Sequence, residues 1–268
     1  MAHFDCSYYS DSLKKNARFI AFVPSVSPDD LLEDRTEKWK DIDPKFPTLY
    51  LLHGSYGGAS DWDLRTSVER YAQDRGVAVI MPSGENSDYV TMKAGEDYLT
   101  YVGRELVEFT RKIFPLSRER KKTFIAGLSM GGYGSFRVGL EYPETFGKIA
   151  SLSGALDMVL LNTGTKEAHF QKMPKNYMRA IFGNDNVSFK GTRDDLLTLI
   201  ETLHEEKADL PELYMSVGNE DFIKSANDSF YKKTVGLGIS IKYEHFEGTH
   251  SWEYWDSHIL DAMNWLLS

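Results

Sequence analysis

The sequence predicts an α/β protein: a mostly parallel sheet with helices on both faces and an insertion over the carboxyl edge of the strands. Three observations predict it. Apolar runs of strand length recur along the chain, among them "TLYLLHG", "VAVIMPSG", "TFIAGLS" and "KIASLSGA". Segments with apolar residues at helical spacing alternate with them. The strand runs are continuously apolar rather than alternating, as strands buried on both faces must be. At 268 residues the chain suits one such domain, 1–268, and can bury enough surface to need no covalent staple.

Taken in order, "ARFIAFVPS" reads as a strand stopped by Pro24. "TLYLLHG" (Thr48 to Gly54) is the next strand. "SDWDLRTSVERYAQDRG" follows as a helix, with Ser60 or Asp61 to cap it and Gly76 to end it. "VAVIMPSG" returns to strand, and Glu96 to Phe114 to helix. "KTFIAGLS" is a strand and Met130 to Tyr142 a helix; "KIASLSGA" is a strand again. Leu156 to Asp209, polar and poor in strand signals, breaks the rhythm. It reads as an insertion at about 156–209, either a cap over a pocket or a surface excursion. "PELYMSVGNED" and "GISIKYEHFEG" supply later strands, and "WEYWDSHILDAMNWLLS" closes as an amphipathic helix. The N-terminal residues, His3 among them, are expected to fray.

Composition narrows the function. A formal charge of −9 argues against a grip on nucleic acid or anionic lipid, both of which need a basic face. The run "RERKK" at Arg118 to Lys122 reads as a solvated turn. "MAHFDCSYYSDSLKKN" has neither the basic leader nor the apolar core of a signal peptide. No stretch reaches the ~18–20 apolar residues of a membrane span. Cys6, the single cysteine, forms no internal disulfide, so the cytoplasm is the expected compartment. Assembly state is open, with a homo-oligomer compatible.

"TFIAGLSMGGYGSF" carries the chemistry. Ser129 sits between a strand and a helix-forming run with glycines two residues either side, the context of a nucleophile elbow. Side chains at Gly127 and Gly131 would collide across so sharp a turn, and Gly132 and Gly134 are expected to let the helix lie close to neighbouring strands. A serine hydroxyl needs a base near neutral pH. His250, in the loop between the last strand and the last helix, is the candidate; His245 and His258 lie inside a strand and a helix. The acid belongs between serine and histidine after a strand, which selects Asp221, with Glu220 beside it as the competitor. The Met130 N–H and one from "LLHGSYGGASDW", that of Ser55 or alternatively Tyr56, are candidate oxyanion donors. Asp97 and Tyr98 stand open as substrate contacts, a cap or solvent-facing groups. No metal or cofactor is expected, since no H-E-x-x-H or close histidine pair occurs.

With these residues in place, the chain resembles the esterase D-like branch of the α/β-hydrolases. It is most similar to bacterial tributyrin esterases, with cinnamoyl and feruloyl esterases, S-formylglutathione hydrolases and mycolyltransferases further off. The carriers, in order, are "LLHGSYGGASDW", "VAVIMPSG", "IAGLSMGGYGSF", "YPETFGKIASLSGAL", "VGNEDF" and "GTHSWEYW". The resemblance implies the α/β-hydrolase fold, a Ser129–His250–Asp221 triad, backbone donors at Ser55 and Met130, and Trp62 and Trp252 as walls of the substrate site. It departs from S-formylglutathione hydrolases in having "HGSYGG" where they have an "HGLTC"-like stretch. The expected function is a serine carboxylic-ester hydrolase for short-chain or aryl acyl esters. Acyl transfer, or carbohydrate or feruloyl ester hydrolysis, with the same residues is the rival, and a catalytically silent binding module is the rival of another class.

Overall fold

The computed structural model describes residues 1–34, 36–39, 45–163, 175–183 and 189–268. Its strands are β1 (Ala2–Ser10), β2 (Lys15–Val23), β3 (Thr48–Leu52), β4 (Ala78–Pro82), β5 (Thr123–Leu128), β6 (Lys148–Leu152), β7 (Glu212–Gly218) and β8 (Lys242–Phe246). They form one sheet in the order β1-β2-β4-β3-β5-β6-β7-β8. β1 pairs antiparallel with β2, and β2 antiparallel with β4; every other pair is parallel.

The continuously apolar strands behave as their composition requires. Along β3, Tyr50 and Leu52 join one hydrophobic cluster while Leu49 and Leu51 join the other, on the opposite face. Helices Leu106–Ile113, Met130–Glu141 and Lys224–Gly236 contribute to the first cluster, and Val68–Arg75 and Trp252–Leu266 to the second. β8 at the sheet's edge is only partly buried.

The chain start is not frayed. Cys6, Tyr8 and Ser10 alternate inward along β1, and Tyr8 stacks on Phe109 with ring centroids 3.9 Å apart. The hairpin turn is tied down by Glu105, whose carboxylate accepts from Ser10 Oγ and from the Asp11 and Ser12 N–H groups, each at 2.9 Å. The alternation is visible in "AHFDCSYYS", but its polar and aromatic residues lack the apolar weight of the buried strands. Burial pushes the Cys6 thiol up, away from thiolate chemistry.

The predicted insertion divides. Residues 164–174 and 184–188 lie outside the described residues. Helix Lys175–Phe182 docks on the loop after β4, where the Lys93 and Ala94 N–H groups donate to the carbonyls of Ile181 and Ala180 at 3.0 and 2.9 Å. Helix Leu196–Glu205 instead joins the helix layer, packing against Met130–Glu141 and Lys224–Gly236. Arg137, buried on Met130–Glu141, pairs with Asp194 at 2.9 Å just before that helix. Both parts reach the core: Met178, Ile181 and Phe182 join the same hydrophobic cluster as Leu196, Leu199, Ile200 and Leu203.

The "RERKK" segment is a surface turn, as read from the sequence, and Arg120, Lys121 and Lys122 have acidic partners. Arg120 bonds Asp209 at 2.9 Å, and Lys121 and Lys122 reach Glu119 at 3.2 and 2.6 Å. No helix among the described residues is long and apolar enough to cross a membrane.

Candidate active site

The parallel strands end on one edge of the sheet, and their loops bring the chemistry together. Ser129 follows β5, Asp221 follows β7 and His250 follows β8. β6 lies between β5 and β7, so the histidine loop reaches back across two strands to the serine.

Ser129 occupies φ 53°, ψ −117°, a conformation that L side chains rarely adopt. The turn is forced by its neighbours. A Cβ on Gly127 would overlap the Gly131 carbonyl, and one on Gly131 would stand 2.5 and 2.6 Å from the carbonyl oxygens of Leu52 and His53. The glycines therefore let the start of helix Met130–Glu141 press against the end of β3. The Ser129 N–H donates to Leu152 O at 3.0 Å, anchoring the turn to β6. Gly132 fits against Gly154 and Ser151 at the end of β6, as close strand packing requires. Gly134 instead makes room for the ring of Tyr89, a loop residue.

Ser129 Oγ stands 3.0 Å from His250 Nε2. On the far side of the ring, His250 Nδ1 lies 3.1 and 3.0 Å from Asp221 Oδ1 and Oδ2. The Asp221 side chain is 0% exposed and that of His250 17%. Asp221 Oδ1 also accepts from the Ile223 N–H at 3.0 Å. This pattern puts the imidazole proton on Nδ1 and leaves Nε2 to accept from the serine hydroxyl. Phe222 and Trp255 flank the imidazole at centroid distances of 4.6 and 4.9 Å.

Glu220, the competing acid, points elsewhere. It accepts the Gly248 N–H at 2.9 Å and donates its own N–H to Gly248 O at 3.1 Å. It thus clamps the histidine loop, and a Cβ on Gly218 would overlap the Gly248 carbonyl in the same place. His245 bonds Asn219, and His258 bonds Asp261 while stacking on Phe246.

The loop after β3 is braced on every side. His53 is buried, with Nδ1 2.7 Å from Gly54 O, while its Nε2 accepts the Gly84 N–H at 2.8 Å. Burial depresses its pKa, and the neutral ring is the form this pair of bonds demands. Tyr89 Oη donates to His53 O at 3.0 Å. The Tyr56 N–H is engaged by Asn86 Oδ1 at 2.6 Å, which removes it as an oxyanion donor. The Ser55 and Met130 N–H groups make no hydrogen bond among the described residues.

The two tryptophans differ. Trp62 is 1% exposed, and its indole N–H donates to Leu52 O at 3.0 Å. Its indole is turned beneath the loop, onto the end of β3, where it acts as a brace. Trp252 is half-buried, edge-on to Trp62 at 5.5 Å and under the Arg65 guanidinium at 5.5 Å. Asp97 caps the turn at Tyr98, accepting the Thr100 N–H at 3.0 Å, and Tyr98 Oη is bonded by Lys15 at 2.9 Å. Tyr98 also lines a cleft of ≈ 160 Å³ between the loop after β4 and helix Lys175–Phe182, with Glu85, Asn86, Met92, Glu96 and Tyr177. Asn86 and Tyr89 escaped the sequence reading because no spacing rule links them to the residues they hold.

Comparisons with known proteins find esterases and serine hydrolases similar to this chain. A family model described as "Putative esterase" matches residues 37–266. An acetyl esterase of Caldicellulosiruptor saccharolyticus is 38% identical over 268 residues, covering 99% of this chain and 98% of that protein. Among solved structures, the Staphylococcus aureus fluorophosphonate-binding serine hydrolase F superposes with a TM-score of 0.87 at 29% identity, covering 100% of this chain and 98% of the other. The S-formylglutathione hydrolase of the same species gives 0.84 at 29% identity, covering 100% and 99%.

Proposed function

The chain belongs to the esterase family and has the α/β-hydrolase fold, and from that premise we propose that it hydrolyses short-chain carboxylic esters through an acyl-enzyme on Ser129. The observation that carries the assignment is the 3.0 Å approach of Ser129 Oγ to His250 Nε2, with Asp221 bonded behind the ring.

In the first half-reaction Ser129 Oγ attacks the ester carbonyl carbon as its proton passes to His250 Nε2. Asp221 stabilises the imidazolium so formed. The carbonyl oxygen becomes an oxyanion held by the N–H groups of Ser55 and Met130, the latter at a helix N-terminus whose dipole favours negative charge. Collapse breaks the bond to the alcohol oxygen, which leaves with the proton from Nε2. Water then repeats the sequence on the acyl-enzyme, releasing the carboxylic acid and restoring the serine. One oxyanion donor of this kind is worth ~10²–10³ in turnover.

The named relative at 38% identity points to acetyl esters as the first substrates to test. The single cysteine supports a cytoplasmic location. The test is a panel of p-nitrophenyl acetate, butyrate and octanoate with feruloyl and acetyl-sugar esters. Turnover that is highest on the shortest acyl chains and abolished in Ser129→Ala supports the proposal. Equal turnover by Ser129→Ala refutes it. Adding a competing alcohol and analysing products separates hydrolysis from acyl transfer.

A further inference from the structure

The loop after β4, Gly84 to Tyr89, grips the loop after β3 at three points. Two of them hold His53: the Gly84 N–H on Nε2 at 2.8 Å and Tyr89 Oη on the carbonyl at 3.0 Å. The third is Asn86 Oδ1 on the Tyr56 N–H at 2.6 Å. That last bond fixes the peptide unit joining Ser55 to Tyr56, immediately next to the one that carries the Ser55 N–H.

The neighbouring Gly54–Ser55 peptide is held at its carbonyl by His53 Nδ1, 2.7 Å from Gly54 O, but the Ser55–Tyr56 unit beyond it has fewer supports. Tyr56 sits at φ 64° with its residue 73% exposed, so its side chain gives the backbone no buried anchor. Gly57 and Gly58 follow, with the most backbone freedom of any residue type. The bond from the Gly57 N–H to Gly54 O is long, at 3.2 Å. The turn that carries Asn86 is tied by its neighbour Ser87, whose Oγ donates to Gly84 O at 2.6 Å and accepts the Tyr89 N–H at 3.0 Å.

We propose that Asn86 is a positioning residue for ester hydrolysis: by holding the Ser55–Tyr56 peptide, it keeps the Ser55 N–H aimed at the oxyanion formed on attack by Ser129. This rests on the reading of Ser55 as an oxyanion donor. An amide suits the task, since it accepts a hydrogen bond without placing a negative charge beside a developing anion. A displacement of about 1 Å in such a group lowers turnover by ~10².

The test compares wild type, Asn86→Ala, Asn86→Gln and Ser129→Ala on p-nitrophenyl acetate, with the inhibition constant of a boronic acid that forms a tetrahedral anion on the serine. Asn86→Ala is expected to lower kcat roughly ten- to a hundredfold with KM within about twofold, and to weaken the boronic acid by a similar factor. Asn86→Gln, which retains an amide acceptor at a half-buried position, is expected to recover much of the loss. A wild-type kcat in Asn86→Ala beside an inactive Ser129→Ala overturns this inference alone. So does a loss that Gln does not relieve and that leaves boronic acid affinity unchanged. Full turnover by Ser129→Ala would instead defeat the serine reading and this inference with it.

Discussion

His250 Nδ1 lies within hydrogen-bond distance of both carboxylate oxygens of Asp221, at 3.1 and 3.0 Å, and that carboxylate is sealed from solvent. A buried carboxylate aimed at one ring nitrogen leaves the other free to face Ser129. Asp221→Asn keeps the shape but offers an amide donor to Nδ1, which favours the wrong tautomer. Turnover of p-nitrophenyl acetate is expected to fall ~10⁴-fold with the fold intact. Steady-state kinetics beside a circular dichroism melt checks both halves.

Gly131→Ala tests the turn. The added methyl would stand 2.5 and 2.6 Å from the backbone oxygens of Leu52 and His53, and backbone cannot swing aside as a side chain can. A loss of about 1–3 kcal/mol in stability is expected, with a larger proportional loss of turnover because the helix start is pushed from the β3 loop. Denaturant unfolding gives the first number and initial rates the second.

His53 links the same loop to pH. Burial holds its folded pKa below the value of an unfolded histidine, so the unfolded chain binds the proton more readily. Its contribution is fully present above about pH 6.5 and is lost as the pH falls below that. His53→Gln has no ring to protonate. The stability advantage of wild type over this variant, measured by thermal melts from pH 8 to 5, is expected to narrow toward acid pH.

Asp88 behaves in the opposite sense. It is buried in the loop after β4, and desolvation, with the nearby Asp194 carboxylate, pushes its pKa up to about 7. The folded state therefore holds the proton between the unfolded value near 4 and pH 7, and this contribution is lost as the pH rises through about 7. Asp88→Asn is expected to raise the melting temperature at pH 8 and to change it little at pH 4.5. Melts at the two pH values decide it.

The order Ser129, Asp221, His250 was legible because each part is written locally. A buried strand, glycines spaced about Ser129 and a following helix can be read from "TFIAGLSMGGYGSF" alone; Asp221 follows an apolar strand, and His250 lies in the loop between the last strand and the last helix. What escaped depends on contacts between distant segments. Asn86 meets Tyr56 thirty residues away, and Gly134 is small because Tyr89 lies on it, neither of which leaves a periodic trace. The family resemblance implied Trp62 as a wall of the substrate site, whereas its indole lies beneath the loop, bonded to Leu52 O. β1 was missed because an edge strand alternates polar and aromatic residues without a buried run.

The most direct test of the account is covalent labelling with a fluorophosphonate, followed by peptide mass mapping, in wild type, Ser129→Ala and His250→Gln. One adduct per chain on Ser129 is expected in wild type, none in Ser129→Ala, and greatly slowed labelling in His250→Gln. An adduct on another residue, or labelling of Ser129→Ala at the wild-type rate, would contradict it.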